Sequence, residues 1–230
     1  FTAVAVAKFM SQYGYKVRDL RDLIIPFLLI GVPMLIIMVA QRETGSALVY
    51  FAFFFMFYRE GMVGSILFAG AAAVFYFVVG IRYADVPLWD ILPISSGEFF
   101  VLAAIHLFVA GMMWVYTSLR KPFFQTLCFG MIAYVLAVLY AKYLIPFNVC
   151  WVQWGVLAAT IVYLFYLAVR ERLWSYALIS MFALGSIGFF YSVNYVLNDV
   201  LQAHQRTRIR VLLGLEDDPK GAGYNVIQAK

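Results

Sequence analysis

The residues best equipped for chemistry lie in a basic segment near the end of the chain. His204, Gln205, Arg206, Arg208 and Arg210 place five strong hydrogen-bonding side chains within seven residues. Arginine binds phosphate through two parallel hydrogen bonds and stays charged in partly dry sites. Next to a bilayer, this cluster predicts recognition of a phosphorylated lipid headgroup. The alternative is a snorkelling amphipathic segment that pairs with anionic lipids non-specifically.

A second candidate is the carboxylate of Glu43, which lies in the short polar stretch QRETGS between two apolar runs. An ionisable group near membrane depth is costly, so it marks a functional site by default. The positive end of the helix that starts here would keep Glu43 ionised, with its side chain lining a cavity open to the outer face. An N-terminal cap of that helix is an equally good interpretation.

The remaining polar residues in apolar surroundings give weaker signals. His106 lies in the middle of an apolar run, which favours a hydrogen bond between helices over a proton relay. Cys128 and Cys150 are isolated from each other and from both histidines. The sequence therefore predicts no disulfide framework and no metal ligands.

The amino-acid composition indicates the class of protein to which these residues belong. Of the 230 residues, 65% are hydrophobic and 13% are charged, and the mean hydropathy is +0.88. Soluble domains carry about 25% charged residues, so a soluble, disordered or disulfide-rich protein is excluded. Apolar blocks of about 20 residues match the length of a membrane-crossing helix. We predict an all-α, polytopic transmembrane helical bundle.

The apolar blocks predict about seven full spans and a partial one at the N-terminus. The partial span covers residues 1–12, and residues 1–197 together form the transmembrane region. Residues 198–230 are predicted to begin a large extracytoplasmic loop. Because the chain begins in mid-helix and stops without a closing span, we expect an internal fragment of a longer protein. The seven full spans are residues 23–40, 46–58, 62–81, 97–118, 123–141, 149–169 and 173–196.

The distribution of Lys and Arg predicts the orientation. Leaving the tail aside, nine of these residues fall in one set of alternate loops and three in the other. The positive-inside rule then places residues 13–22 in the cytoplasm and the tail from residue 198 outside. The same rule explains the net charge of +5 without a nucleic-acid partner. The five basic residues of the external tail oppose the rule, so they need another explanation.

Two stretches of the sequence resemble motifs of the SEDS family, which includes RodA and FtsW. QRETGSALVY is similar to the family's Q-P-D-[LF]-G-[TS] motif at the outer start of a span. HQRTRIRVLLGLEDDPKGAGYNVIQAK is similar to its Y-Q-x-x-R stretch followed by D-P-x-G-x-G-Y-x-x-x-Q-S. Arg42 and Glu43 stand where the family often has Pro and Asp. The resemblance covers nearly the whole chain and is closest to RodA-type members, with extra spans between the two motifs.

The resemblance implies a peptidoglycan glycosyltransferase that polymerises lipid II on the outer face of the bacterial cytoplasmic membrane, in cell-wall elongation and cell-shape control. It implies a class B penicillin-binding protein and the elongation machinery as partners. The family's catalytic aspartate would lie beyond Lys230, so we expect no catalytic residue within the chain and no activity from it alone. The implied substrate-binding residues are Gln41, Glu43, Gln205, Arg206 and Arg208.

Within that set, Arg206 and Arg208 would stabilise the departing undecaprenyl pyrophosphate. An extended backbone would put these two on one face, whereas a helix would align Arg206 with Arg210. The family pattern favours Arg206 and Arg208. A divalent cation at the pyrophosphate fits this chemistry, although the sequence shows no ligand set for one.

Two other functions compete with polymerisation. A lipid II flippase is the main alternative, and composition alone also allows a generic ion or solute transporter. A flippase needs polar groups that continue through the middle of the membrane to the inside. Residues 62–81 and 123–141 contain no charged side chain, which disfavours the flippase and proton-coupled transport.

Overall fold

The computed structural model describes residues 1–12, 20–37, 49–50, 52–89, 92–117, 119–197, 203–212 and 215. Helices dominate these ranges, which confirms the predicted all-α helical bundle. The chain divides into two compact units, Phe1–Ala71 and Ala72–Lys230. Each unit has its own cluster of buried apolar side chains.

The first unit is built from short helices. Helix α1 (Thr2–Met10) packs against α2 (Leu20–Ile36), and α3 (Ala52–Arg59) follows. Two prolines lie inside α2; membrane helices tolerate them when neighbouring groups satisfy the freed carbonyls. The core of this unit consists of Val6, Leu23, Ile30, Phe57 and Met62.

Five helices in the described ranges are long and apolar enough to cross a membrane. They correspond to the predicted spans 62–81, 97–118, 123–141, 149–169 and 173–196, and they support a multi-pass membrane protein. A shorter helix, α9 (Ala203–Leu212), follows them. The five are α4 (Gly64–Arg82), α5 (Ser96–Tyr116), α6 (Arg120–Tyr143), α7 (Cys150–Arg170) and α8 (Trp174–Tyr195).

The other two predicted spans are described only in part. Residues 23–40 correspond to α2, which has 17 residues, and residues 46–58 correspond to α3, which has eight. Parts of both predicted spans lie outside the described residues. Their crossing of the membrane stays a prediction.

Helix α5 is the centre of the second unit. It packs against α6, α7 and α8, and 39% of its most apolar window is buried, against 17% for α4. Along its middle, three adjacent pairs of buried residues recur every four positions and a single buried residue follows, so successive turns present side chains to the neighbouring helices. The stripe consists of Val101, Leu102, Ile105, His106, Val109, Ala110 and Met113.

A capping interaction and a close backbone approach fix the start of α5. The hydroxyl oxygen of Ser95 accepts a hydrogen bond from the backbone N–H of Glu98 at 3.4 Å. The Ser-x-x-Glu spacing is that of a capping box. A Cβ atom on Gly97 would lie 2.7 Å from the carbonyl oxygen of Gly80. Gly97 is therefore required for α5 to begin this close to the end of α4.

The connection before α5, read from the sequence as a loop, contains a short antiparallel ribbon. Strand β1 (Pro87–Trp89) pairs with β2 (Leu92–Ser95). Each strand contains a proline, which cannot donate to a ladder and is therefore confined to strand edges and first positions. A two-stranded ribbon consists only of edges, so both prolines are accommodated. Alternation over three or four residues is too short to predict such a strand.

Candidate functional site

Helix α9 brings two arginines of the basic tail to one small pocket. Arg206 and Arg210 are four residues apart on this helix, so they share a face. Both line a pocket of about 130 Å³, together with Asp85 and Asn194. We call this the polar pocket. Its apolar wall is formed by Ile81, Ala84, Leu197, Ile209 and Leu215.

The polar pocket joins the ends of three helices within the second unit. Asp85 follows the end of α4, Asn194 lies in the last turn of α8, and the arginines belong to α9. Because a water molecule's share of liquid volume is about 30 Å³, the pocket has room for a few waters. A phosphate-sized group fits this space.

One of the two arginines forms an ion pair at the mouth of the pocket. Nη2 of Arg210 lies 3.4 Å from Oδ2 of Asp85 and donates a hydrogen bond to it. The Asp85 side chain is 74% exposed, so solvent and salt screen this attraction, and exposed pairs of this kind contribute roughly 0–1 kcal/mol. The pair attaches α9 to the end of α4 across 125 positions of sequence.

The predicted site residues are only partly brought together. The structure describes the side chain of Arg206, which lies in the polar pocket. Gln205 and Arg208 belong to the backbone of α9, but their side chains lie outside the described set. Gln41 and Glu43 also lie outside the described residues, so the placement of the Glu43 carboxylate stays a prediction.

The helical backbone of α9 changes the expected pairing of arginines. The family pattern favoured Arg206 and Arg208, and because the Arg208 side chain lies outside the described residues, that preference stays a prediction. The helix instead aligns Arg206 with Arg210, since residues four apart are neighbours on a helix surface. The sequence had offered this alternative, and Asp85 and Asn194 are the pocket residues that it did not indicate.

A second polar cluster lies at the beginning of α5 and α7 and the end of α8. The hydroxyl of Tyr191 donates to Oε1 of Glu98 at 2.7 Å, and Nε1–H of Trp154 donates to the Tyr191 oxygen at 3.2 Å. Nearby, Nε2 of Gln153 donates to the carbonyl of Phe99 at 3.2 Å. These bonds join three helix ends, so we assign them a structural role.

The opposite end of the bundle carries a basic and aromatic cluster. The guanidinium of Arg120 stacks over the Trp114 ring, 3.9 Å from its centroid. Trp114 also contacts the ring of Phe123 edge-on, with centroids 5.0 Å apart. Which end faces the cytoplasm remains a prediction.

His106 forms the interhelical hydrogen bond that its sequence position favoured. Its Nε2 lies 3.2 Å from the backbone carbonyl oxygen of Thr126, which joins α5 to α6. A Cβ atom on Gly130 would overlap the imidazole ring, so glycine is needed there to admit the histidine. Its Nδ1 is buried and has no hydrogen-bond partner.

The described residues offer no cation site. Within them, no group of three or more His, Cys, Asp or Glu side chains is placed to hold a metal ion. Cys128 and Cys150 are both free thiols. The sequence had predicted neither metal ligands nor a disulfide framework.

Comparisons with protein-family models, with curated proteins and with solved structures find no match for this chain.

Proposed function

We propose that the chain is the membrane region of a peptidoglycan glycosyltransferase of the SEDS type, which polymerises lipid II at the outer face of the bacterial cytoplasmic membrane. The two sequence motifs that resemble this family support the proposal. The five apolar helices also support it, because an enzyme that acts on a lipid-linked substrate must meet that substrate at the bilayer, where its isoprenoid tail remains. A class B penicillin-binding protein and the elongation machinery are the partners that this proposal includes.

The polar pocket is the single observation that carries the proposal furthest. Arg206 and Arg210 lie one turn apart at the end of the bundle, with the amide of Asn194 beside them. Guanidinium groups bind phosphate oxygens through pairs of charge-assisted hydrogen bonds. A pyrophosphate that leaves lipid II would gain its negative charge at the polar pocket in this proposal. Positive groups already in place there would stabilise the departing group.

The two arginines have different roles in this proposal. Asp85 holds Arg210 at the mouth of the pocket through their ion pair, so Arg210 is a positioning group. Arg206 lies further along the same face and is the group that contacts the phosphate. Glu43 is proposed to line the cavity and orient a basic side chain or a cation. The base that deprotonates the acceptor sugar hydroxyl is expected, from the resemblance, outside residues 1–230.

Direct binding of undecaprenyl pyrophosphate tests the pocket. The purified chain in lipid nanodiscs is titrated with this lipid and, separately, with undecaprenol, which has the same tail without phosphate. Hydrogen bonds to charged groups contribute roughly 1.5–3 kcal/mol, so Arg206→Ala should weaken pyrophosphate binding about 10-fold or more. Binding of undecaprenol should not change.

The matched control is Arg82→Ala, at the end of α4. Its guanidinium lies 6.0 Å from the Tyr83 ring centroid and does not line the polar pocket. Equal losses for both variants would mean that general surface charge attracts the lipid. Unchanged binding by Arg206→Ala would contradict the proposed role of the pocket.

The flippase alternative is tested with the longer protein that carries the segments flanking this chain. Reconstituted liposomes containing fluorescent lipid II report both transbilayer movement and glycan-strand formation. The proposal predicts strand formation without accelerated movement of lipid II. Movement without polymerisation would support the flippase instead.

A further inference from the structure

Helices α6 and α7 pack against each other, and the exposed edge of their contact, which we call the α6–α7 seam, carries polar side chains near the basic and aromatic end of the bundle. The hydroxyl of Tyr163 on α7 donates to Oε1 of Gln125 on α6 at 2.8 Å. Gln125 lies five residues after Arg120, where α6 begins, and Tyr163 lies seven before Arg170, where α7 ends. This hydrogen bond therefore places the beginning of α6 beside the end of α7.

Helix periodicity brings two basic side chains to the same seam. Lys121 is four residues before Gln125, so the two share a face of α6. Arg170 is seven residues after Tyr163 and shares a face of α7 with it. Both basic residues are exposed, and the side chain of Arg170 is 64% exposed. The end of the seam therefore carries an ammonium group on one helix and a guanidinium group on the other.

This end of the bundle has a surplus of positive charge. Residues 117–121 and 170–174 contain four basic side chains and one acidic side chain. The acid is Glu171, whose Oε1 lies 3.6 Å from Nε of Arg170, and Nη1 of Arg170 donates to the Tyr166 hydroxyl at 3.3 Å. Arginine has five N–H donors, so these two contacts do not exhaust the guanidinium group. The surplus favours an anionic partner. The four basic residues are Arg120, Lys121, Arg170 and Arg172.

The side chains along the seam change in character from the helix ends towards the middle of the helices. Trp114 and Trp174 are exposed at the helix ends, and tryptophan is enriched at membrane–water interfaces. Further along α6 and α7, exposed side chains such as Phe129 and Val162 are apolar. The order is therefore basic groups at the end, then a hydroxyl and an amide, then apolar side chains.

This order matches the layers of a phospholipid. Its phosphate is outermost, the ester carbonyls of the glycerol lie beneath, and the acyl chains continue into the hydrocarbon. A phosphate between Lys121 and Arg170 would accept charge-assisted hydrogen bonds from both. Oε1 of Gln125 accepts from Tyr163, and the amide NH₂ group of Gln125 can donate to an ester carbonyl. A soluble phosphate or an acidic protein would use only the basic layer.

We propose that the α6–α7 seam binds an anionic phospholipid, with its phosphate between Lys121 and Arg170 and an ester carbonyl at Gln125. The acyl chains lie against the apolar side chains beyond. A phosphatidylcholine offers the same phosphate but adds a positive charge, which the basic residues repel. None of these residues lines the polar pocket, so the inference is independent of the proposed glycosyltransferase function.

Photolabelling in nanodiscs tests this inference. The nanodiscs contain phosphatidylcholine and a small fraction of phosphatidylglycerol with a diazirine near the start of one acyl chain, and labelled peptides are identified by mass spectrometry. Label is expected in residues 119–131 and 159–172. The same diazirine on phosphatidylcholine should label these peptides at least about 5-fold less, the factor that one basic residue contributes at a membrane surface.

Competition with unlabelled lipids tests the two polar layers separately. Raising the fraction of unlabelled phosphatidylglycerol should lower the labelling of the seam. A diether phosphatidylglycerol keeps the phosphate and lacks the ester carbonyls. It should compete about 2- to 10-fold less well, the range expected for one lost hydrogen bond. In Gln125→Leu the ester and ether lipids should compete equally.

Charge-neutralising variants locate the bound lipid. Lys121→Gln and Arg170→Gln should each lower labelling by the phosphatidylglycerol probe about 5-fold. Lys142→Gln is the matched control, because it removes the same charge from the opposite end of α6, and it should leave labelling of the seam unchanged. All three residues are exposed, and substitutions at exposed positions rarely change stability enough to prevent folding.

Three results would overturn the inference. Equal labelling by the two probes would show that charge plays no part. An equal loss of label in Lys142→Gln and Lys121→Gln would show that any basic residue attracts the lipid. Full competition by glycerol phosphate would replace the lipid by a soluble phosphate. Label in the seam that falls in Lys121→Gln and Arg170→Gln and persists in Lys142→Gln is the result that supports the proposed site.

Discussion

The polar pocket and the α5–α6 contact around His106 lie in the same compact unit but differ in how their polar groups are hydrogen-bonded. In the polar pocket, Arg210 and Asp85 face each other across 3.4 Å near the end of the helices, where solvent reaches both side chains. At the contact between α5 and α6, Nδ1 of His106 is buried midway along α5 and has no hydrogen-bond partner among the described residues. A screened ion pair is worth little, whereas overpacking a buried contact costs about 1–3 kcal/mol. Substitutions around the His106 contact should therefore lower stability more than substitutions around the polar pocket.

The largest effect on stability is expected at Gly130, because the contact between α5 and α6 there requires a residue without a side chain. In Gly130→Ala, the new methyl group would overlap the His106 ring, so the imidazole must move and its bond to Thr126 is lost. Overpacking of this kind costs about 1–3 kcal/mol. Thermal unfolding in detergent, followed by circular dichroism, should show a clearly lower midpoint.

Gly111→Ala is the control for that change. A Cβ atom at Gly111 meets nothing within 4 Å, and alanine is the better helix former by about 1 kcal/mol. This variant should be as stable as the parent or slightly more stable. Equal destabilisation by both substitutions would contradict the role of Gly130 in admitting His106.

An intermediate effect is expected at the cluster that joins α5, α7 and α8. Tyr191→Phe removes the 2.7 Å hydrogen bond to Glu98 and leaves Trp154 without its acceptor. Because the cluster is partly exposed, water replaces some of these bonds, and the cost should be about 1 kcal/mol. The unfolding midpoint should fall, while Tyr195→Phe, at an exposed position on the same helix, should leave it unchanged.

The smallest effect is expected at the ion pair of the polar pocket. Asp85→Asn removes the charge that faces Arg210, and the cost should be at most about 1 kcal/mol. The Debye length falls to about 3 Å in 1 M salt, so the difference between parent and variant should disappear there. A difference that persists in 1 M salt would show that the pair is more strongly desolvated than its exposure indicates.

The sequence predicted the features that depend on local composition and missed those that depend on distant residues. Apolar runs of membrane-crossing length identified α4 to α8 because the bilayer imposes one length on every span. The Arg210–Asp85 pair joins residues 125 positions apart, and Tyr191 meets Glu98 across 93. No local pattern connects such pairs, so their chemistry is visible only once the helices are packed.

The candidate site likewise combines features that the sequence predicts locally with features that depend on how the helices pack. Basic residues in the tail were recognised from their types and spacing, but their pairing depended on whether the backbone was extended or helical. The family pattern favoured Arg206 with Arg208, and the helix of α9 aligned Arg206 with Arg210 instead. Asp85 and Asn194 belong to neither of the two sequence motifs, so the sequence did not indicate them. Their contribution depends on where α4 and α8 end, which the sequence does not encode locally.

The polar pocket also has a topological consequence. The end of α4 supplies Asp85, and the chain returns to the same place at Asn194 and Arg206. Between these points lie α5 to α8, four helices long and apolar enough to cross the bilayer, and four crossings are an even number. The whole excursion therefore begins and ends on one side. Helices inserted or deleted there in pairs would leave α9 facing the same compartment, so this part of the protein can change in size without reversing its orientation.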